Sequence, residues 1–142
     1  MSLDIGDSRI GVALSDPQGI LASPLTIINR TDERSDIETI VELARKNEVE
    51  RILVGLPLSM DGSVSKQAEK VKDLVAKLCP HTAVPVEYRD ERLSTVSAKR
   101  MIHDVKKTGK GTRYDAIAAA LVLQGYLDEA MELKEQRDLD NA

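Results

Sequence analysis

Three acids in this chain stand beside regular structure rather than on solvated helix faces: Asp4, Glu91 and Asp115. Asp4 lies between apolar neighbours in Leu3-Asp4-Ile5. A bare carboxylate in a sheet interior is costly unless a cation or a hydrogen-bond donor meets it. Asp90 and Glu91 directly follow an apolar strand pattern, and Asp115 opens the most apolar segment of the chain. Three oxygen donors of this kind suit Mg²⁺ or Mn²⁺, hard cations that keep water and share phosphate oxygens with a substrate. Two such ions can activate water and stabilise the leaving oxygen of a phosphodiester. Each acid also has a plainer reading. Asp115 can cap a helix, Glu91 can pair with Arg89 or Arg92 at the surface, and Asp4 can cap a hairpin with Arg9.

The elements that must position these acids follow from periodicity. Met1 to Ile5 and Arg9 to Ser15 read as strands around the turn Gly6-Asp7-Ser8, the second alternating Ile10, Val12 and Leu14 against smaller residues. Asp16-Pro17-Gln18-Gly19 marks a second turn and Leu25 to Ile28 a third strand, which makes the opening an antiparallel meander. Ser35 and Glu38 have capping-box spacing, and Ile37, Ile40, Val41 and Ala44 recur on one helical face. Arg51 to Gly55 is a short apolar strand. Asp61-Gly62-Ser63 turns the chain into a helix with the stripe Val64, Ala68, Val71, Val75 and Leu78, which Pro80 ends. Val84 to Tyr88 is the next strand, Leu93 to about Ile102 a further helix, and Tyr114 to Leu127 the last and most apolar one. A meander followed by helix-strand crossovers implies an α/β fold with a mixed five-stranded sheet flanked by helices. Sites in such sheets form beyond the carboxyl ends of the parallel strands, where Glu91 and the loop at Gly55 belong.

At 142 residues the chain is expected to be one domain with a real core, spanning 1–127, with an acidic helix extension and fraying tail at 128–142. The net charge of -4 argues against nucleic acid at first sight, but six acids and two bases in that tail account for all of it, leaving the body neutral. Within the body Lys99, Arg100, Lys106, Lys107, Lys110 and Arg113 crowd one stretch, which reads as a polyanion contact or as a solvated basic loop. With no Trp, no Phe and three Tyr, base stacking is not the main recognition device, so nucleic acid would be read through backbone and shape. No apolar run reaches membrane-spanning length and no basic-then-apolar leader opens the chain, which points to the cytoplasm. A single cysteine, Cys79, excludes an internal disulfide and reads as a small buried or half-buried filler. His81 and His103 read as solvated surface residues.

Four motifs in order, Leu3-Asp4-Ile5-Gly6 with Arg9 and Gly11, Val54-Gly55-Leu56-Pro57 followed by Asp61-Gly62, Asp90-Glu91-Arg92-Leu93-Ser94-Thr95, and Asp115-Ala116-Ile117-Ala118-Ala119-Ala120, resemble the YqgF/RuvX family over about Met1 to Leu127. That resemblance implies a ribonuclease H-like three-layer fold and a nuclease associated with Holliday junction resolution and with pre-16S rRNA processing. It implies Asp4 as the first-strand metal ligand, Glu91 as the second acid and Asp115 as the acid on the final helix, holding Mg²⁺ or Mn²⁺. Arg9 and Arg92 would contact phosphate, and Gly55 would let backbone approach the substrate. Lys106, Lys107, Lys110 and Arg113 complete the expected substrate surface, although the stretch from His103 to Arg113 is short for the basic loop expected of the family.

Two other functions compete. An Asp-x-Gly opening also resembles the phosphate-binding hairpin of sugar kinases and the actin/Hsp70 ATPases, which need two lobes where this chain supplies one. A non-catalytic nucleic-acid-binding or assembly module would keep the fold without turnover. The expected partner is structured RNA or branched DNA, with the protein a monomer or a homodimer.

Overall fold

The computed structural model describes residues 1–59, 61–90 and 111–141. Glu91, Arg92, Lys99, Arg100, His103, Lys106, Lys107 and Lys110 lie outside the described residues, as does the helix expected from Leu93 to Ile102. The strands are β1 (Ser2–Ile5), β2 (Arg9–Ser15), β3 (Ala22–Asn29), β4 (Ile52–Leu56) and β5 (Val86–Asp90). The helices are α1 (Glu33–Lys46), α2 (Lys66–Leu78) and α3 (Gly111–Asp140), with a short 3-10 turn at Cys79–His81.

One sheet joins the strands in the order β3-β2-β1-β4-β5. The meander pairs antiparallel, while β1–β4 and β4–β5 are parallel. Strand alternation then sorts the side chains into two cores. Leu3, Ile5, Ile10, Val12, Ile52, Val54 and Leu56 pack with Ile37, Ile40 and Ala44 of α1 and with Val71, Leu74 and Leu78 of α2. On the opposite face Ala13 and Leu53 pack with Ala119, Ala120, Leu123 and Leu127 of α3. Both faces of the sheet are therefore covered, and β4 is buried along its whole length, as a central parallel strand between two helix layers should be.

Several boundaries differ from the periodicity reading for local reasons. The cap of α1 is Asp32, whose carboxylate accepts from the Ser35 backbone N–H at 2.9 Å, so Ser35 is inside the helix rather than its cap. Ser65 caps α2, which leaves Val64 outside the helix and exposed. β3 is longer than expected and runs through Pro24, which an edge strand tolerates next to the irregularity opposite Val12 and Ala13. β5 begins two residues later than expected, with the Pro85 carbonyl accepting from the Ile52 N–H. α3 continues to Asp140, past the point where fraying was expected. Cys79 is exposed rather than buried, because the chain leaves α2 at Leu78 and turns outward.

Candidate active site

The site begins at the β1–β2 ladder. Asp4 is paired with Gly11 in the antiparallel register, and Ser2 with Ala13, so these four residues share the face covered by α3. Ser2 is fully buried and its hydroxyl donates to the Ala119 carbonyl at 2.5 Å, pinning α3 to β1. Gly11 makes the closest approach. A Cβ placed there would lie 1.9 Å from the Asp115 carbonyl oxygen, 2.1 Å from its carbon and 2.6 Å from the Ala116 nitrogen. The helix backbone thus occupies the space a side chain at residue 11 would fill, and the residue it brings there is Asp115. Asp4 lies directly across from Gly11, about 4.5–5.5 Å away between Cα atoms in such a ladder, so the Asp115 backbone is seated on the residue opposite Asp4.

Arg9 completes the described cluster. It shares the Gly11 face two residues earlier on β2, and its Nε donates to Asp115 Oδ2 at 2.8 Å. Asp4 and Asp115 are half-buried, whereas Arg9 is exposed, so the guanidinium forms the solvent side of the cluster. Asp115 lies in the second turn of a helix that already runs from Gly111, and so it is not the helix cap.

The edge of β5 adds a second connection to α3. Arg89, paired with Gly55 across the parallel ladder, donates to both Glu129 oxygens at 2.9 and 2.8 Å and lies against Gly125. The hydrogen bond from Arg89 holds the Glu129 carboxyl below its usual range, and the same bond raises Arg89. Arg89 is therefore engaged by Glu129, two residues before Glu91 in sequence. Gly55 is buried in β4, and Arg113 falls in the opening turn of α3.

The β1–β2 turn is supported from the other side of the sheet. Gly6 N–H donates to the Arg9 carbonyl at 2.8 Å, Gln67 of α2 donates to the Ile5 carbonyl at 3.3 Å, and Lys70 reaches Asp7 at 3.3 Å. Arg30 donates to the Gly6 carbonyl at 2.9 Å while paired with Asp36 at 3.1 Å. Sequence reasoning assigned no role to Ser2, Arg30, Asp36, Gln67 or Glu129. A glycine inside an alternating strand is the one available signal, since it marks a close backbone approach.

Among the described residues no group of three His, Cys, Asp or Glu side chains could hold a metal ion. Asp4 and Asp115 supply two hard oxygen donors, a chemistry that fits a cation of the Mg²⁺ class and not a thiolate- or imidazole-seeking metal. No helix among the described residues is long and apolar enough to cross a membrane.

Comparison with known proteins bears directly on this arrangement. Residues 1–129 match the family described as RuvX: Holliday junction resolvase. The chain belongs to the RuvX family. A relative from Dehalococcoides mccartyi named "Putative pre-16S rRNA nuclease" is 46% identical over 125 residues, covering 88% of this chain and 94% of its own. One of the same name from Roseiflexus sp. is 44% identical over 130 residues, covering 90% and 92%. Thermus thermophilus RuvC solved in complex with a Holliday junction substrate aligns with a TM-score of 0.58 at 14% identity, covering 91% of this chain and 93% of that one. RuvX chains are thus built on the RuvC-like, ribonuclease H-type fold, and the strand order and three layers seen here agree with it. The family is one of nucleases, hydrolases of phosphodiester bonds, and such nucleases depend in general on a divalent metal.

Proposed function

We propose that this chain hydrolyses phosphodiester bonds in structured nucleic acid, with Asp4, Glu91 and Asp115 holding Mg²⁺ or Mn²⁺. The observation that carries this reading is the seating of α3 on Gly11, which sets the Asp115 backbone on the residue opposite Asp4, with Arg9 on the solvent side. When bound there, a divalent cation polarises the phosphodiester and lowers the pKa of its water. The chain's own residues do the rest. Asp4 is fixed by the ladder and Asp115 by the backbone contact, so their carboxylates are preorganised before substrate arrives. Arg9 has the charge and exposure to take a phosphate oxygen from solution. Glu91 follows β5 directly and is the third donor in this reading, with Arg92 and Gly55 as substrate contacts. Lys106, Lys107, Lys110 and Arg113 extend the phosphate-binding surface.

A 16S rRNA precursor is the first substrate to test, on the names of relatives 44–46% identical over most of their length. A four-way DNA junction is the second, on the family's description. A two-fold junction calls for two symmetric cuts and hence a homodimer, whereas trimming an RNA end needs only a monomer. Such a protein works in the cytoplasm, where ribosomal precursors and recombining DNA are found in bacteria.

A cleavage panel of precursor rRNA, four-way junction and linear duplex with Mn²⁺, run beside Asp4→Asn, tests the reading. Wild type should cut one structured substrate, and the variant should bind it without cutting. Undiminished cleavage by the variant would remove the mechanism. Binding without cleavage by wild type in Mg²⁺ and Mn²⁺ would support a non-catalytic module instead.

A further inference from the structure

We infer that Arg30 is a positioning residue for the acid pair, acting through the β1–β2 turn; this rests on the nuclease reading above. Arg30 follows the last residue of β3 and is 19% exposed, while its partner Asp36 in the first turn of α1 is 2% exposed. From that position Arg30 binds two carbonyls of the turn. Its backbone N–H donates to the Ser8 carbonyl at 2.9 Å, and its guanidinium donates to the Gly6 carbonyl at 2.9 Å. Nε of the same guanidinium donates to Asp36 Oδ2 at 3.1 Å, and Asp36 Oδ1 accepts from the Thr31 N–H at 3.1 Å. The planar fork is thereby held from below while its other arm grips the turn.

The placement gives this clamp its consequence. Asp4 lies two residues before Gly6 and Arg9 three residues after it, so a tilt of the turn moves both together. Asp115 is carried by α3, whose backbone is seated on Gly11 farther from the turn, so its position depends less on the turn than those of Asp4 and Arg9 do. The gap between the two acids, and the reach of Arg9 to Asp115, therefore depend on the angle at which Arg30 holds the turn. The remaining side-chain contacts from below, Gln67 to Ile5 and Lys70 to Asp7, are longer at 3.3 Å. A buried ion pair is also an inefficient way to gain stability, since apolar residues of similar volume usually serve as well or better. Its use here is geometric.

That argument selects the test. Arg30→Met alone leaves Asp36 buried without its cation and is expected to fold poorly, so the informative protein is Arg30→Met combined with Asp36→Leu. It restores apolar packing under the turn and removes the guanidinium's grip on the Gly6 carbonyl, leaving the backbone bond to Ser8 in place. Three readouts are taken on the double variant and on Arg30→Lys, whose point charge can pair with Asp36 but cannot also grip Gly6. The double variant should melt near or above wild type. Its Gly6 amide, which donates to the Arg9 carbonyl, should exchange about tenfold faster because the turn opens more readily once the guanidinium bond to the Gly6 carbonyl is gone, with core amides of β4 unchanged. Mn²⁺ affinity without substrate should fall, and kcat should fall by about 10- to 100-fold at nearly constant KM, the effect of roughly 1 Å of misplacement. Arg30→Lys should restore stability without restoring kcat or Gly6 protection. A folded double variant with wild-type Gly6 exchange, or one with faster exchange but unchanged Mn²⁺ affinity and kcat, overturns the positioning role. Failure of wild type to cleave any substrate would count against the nuclease reading alone, because Gly6 exchange and Mn²⁺ affinity still decide the role of Arg30.

Discussion

Replacing Gly11 by alanine adds one methyl group at the point where the fold tolerates it least. The new Cβ would stand 1.9 Å from the Asp115 carbonyl oxygen, and ordinary contact begins near 3.4 Å, so α3 must retreat by about 1.5 Å at this turn. The three nearest atoms are all backbone, which leaves no rotamer through which to escape. Retreat strains the Ser2–Ala119 bond and loosens the small-residue contact of Ala119 and Ala120 on Ala13. Overpacking of this kind costs about 1–3 kcal/mol. For a domain of this size that corresponds to a fall in Tm of roughly 3–12 °C. Activity should suffer more than stability, because Asp115 moves relative to Asp4, and a displacement of about 1 Å costs on the order of 100-fold in rate. Thermal unfolding followed by circular dichroism and single-turnover cleavage of the panel's best substrate measure the two effects. A Gly11→Ala protein with wild-type Tm and wild-type cleavage would refute the seating of α3 as the device that assembles the site.

The other predictions concern the same helix and the surface charges. Gly125→Ala on α3 should be neutral or stabilising by up to about 1 kcal/mol in thermal melts, since its nearest neighbour is the far end of Arg89 at 3.2 Å rather than backbone; a loss as large as that of Gly11→Ala would contradict this. Hydrogen bonds from Ser35 to Asp32, from Leu21 and Ile20 to Asp16, and from Arg89 to Glu129 all hold those carboxyls below their ordinary pKa. A depressed folded pKa contributes stability that is present above the unfolded value and is lost as pH falls through the folded one. Tm should therefore drop progressively below about pH 4, and Asp32→Ala should lower Tm at neutral pH through loss of the helix cap, while flattening the acid limb. An acid limb unchanged by Asp32→Ala would remove that carboxylate from the explanation.

Much of the site was legible because charge and periodicity conflict at only a few places. Asp4 interrupts an apolar strand and Asp115 stands at the head of the most apolar segment, so both were visible as acids with something to meet. That they could share a cation was read from their type and placement; the contact that seats α3 was not visible, since it depends on the backbone of α3 occupying the space of a side chain at Gly11, between residues about a hundred positions apart. Arg30 and Asp36 carry no signal in the sequence that sets them apart from other charges, and only folding brings them together under the turn. The length of α3 past Leu127 brings Glu129 to Arg89, a pairing that spacing along the chain does not suggest. The capping error at Ser35 has a smaller cause: Asp32 offers the same chemistry three residues earlier, and the stronger acceptor took the helix end. The antiparallel meander and the mixed sheet followed from strand periodicity and the helix-strand crossovers, whereas the strand order and the division into two cores are visible only in the fold.

The central claim is that Asp4 and Asp115 hold one cation jointly. Calorimetric titration of Mn²⁺ into wild type, Asp4→Asn, Asp115→Asn and the double variant tests it most directly. Shared ligation predicts that wild type binds, that each single substitution removes most of the affinity, and that the double variant loses little more than either alone. Independent, additive losses from the two substitutions, or Mn²⁺ binding that both variants retain, would contradict it.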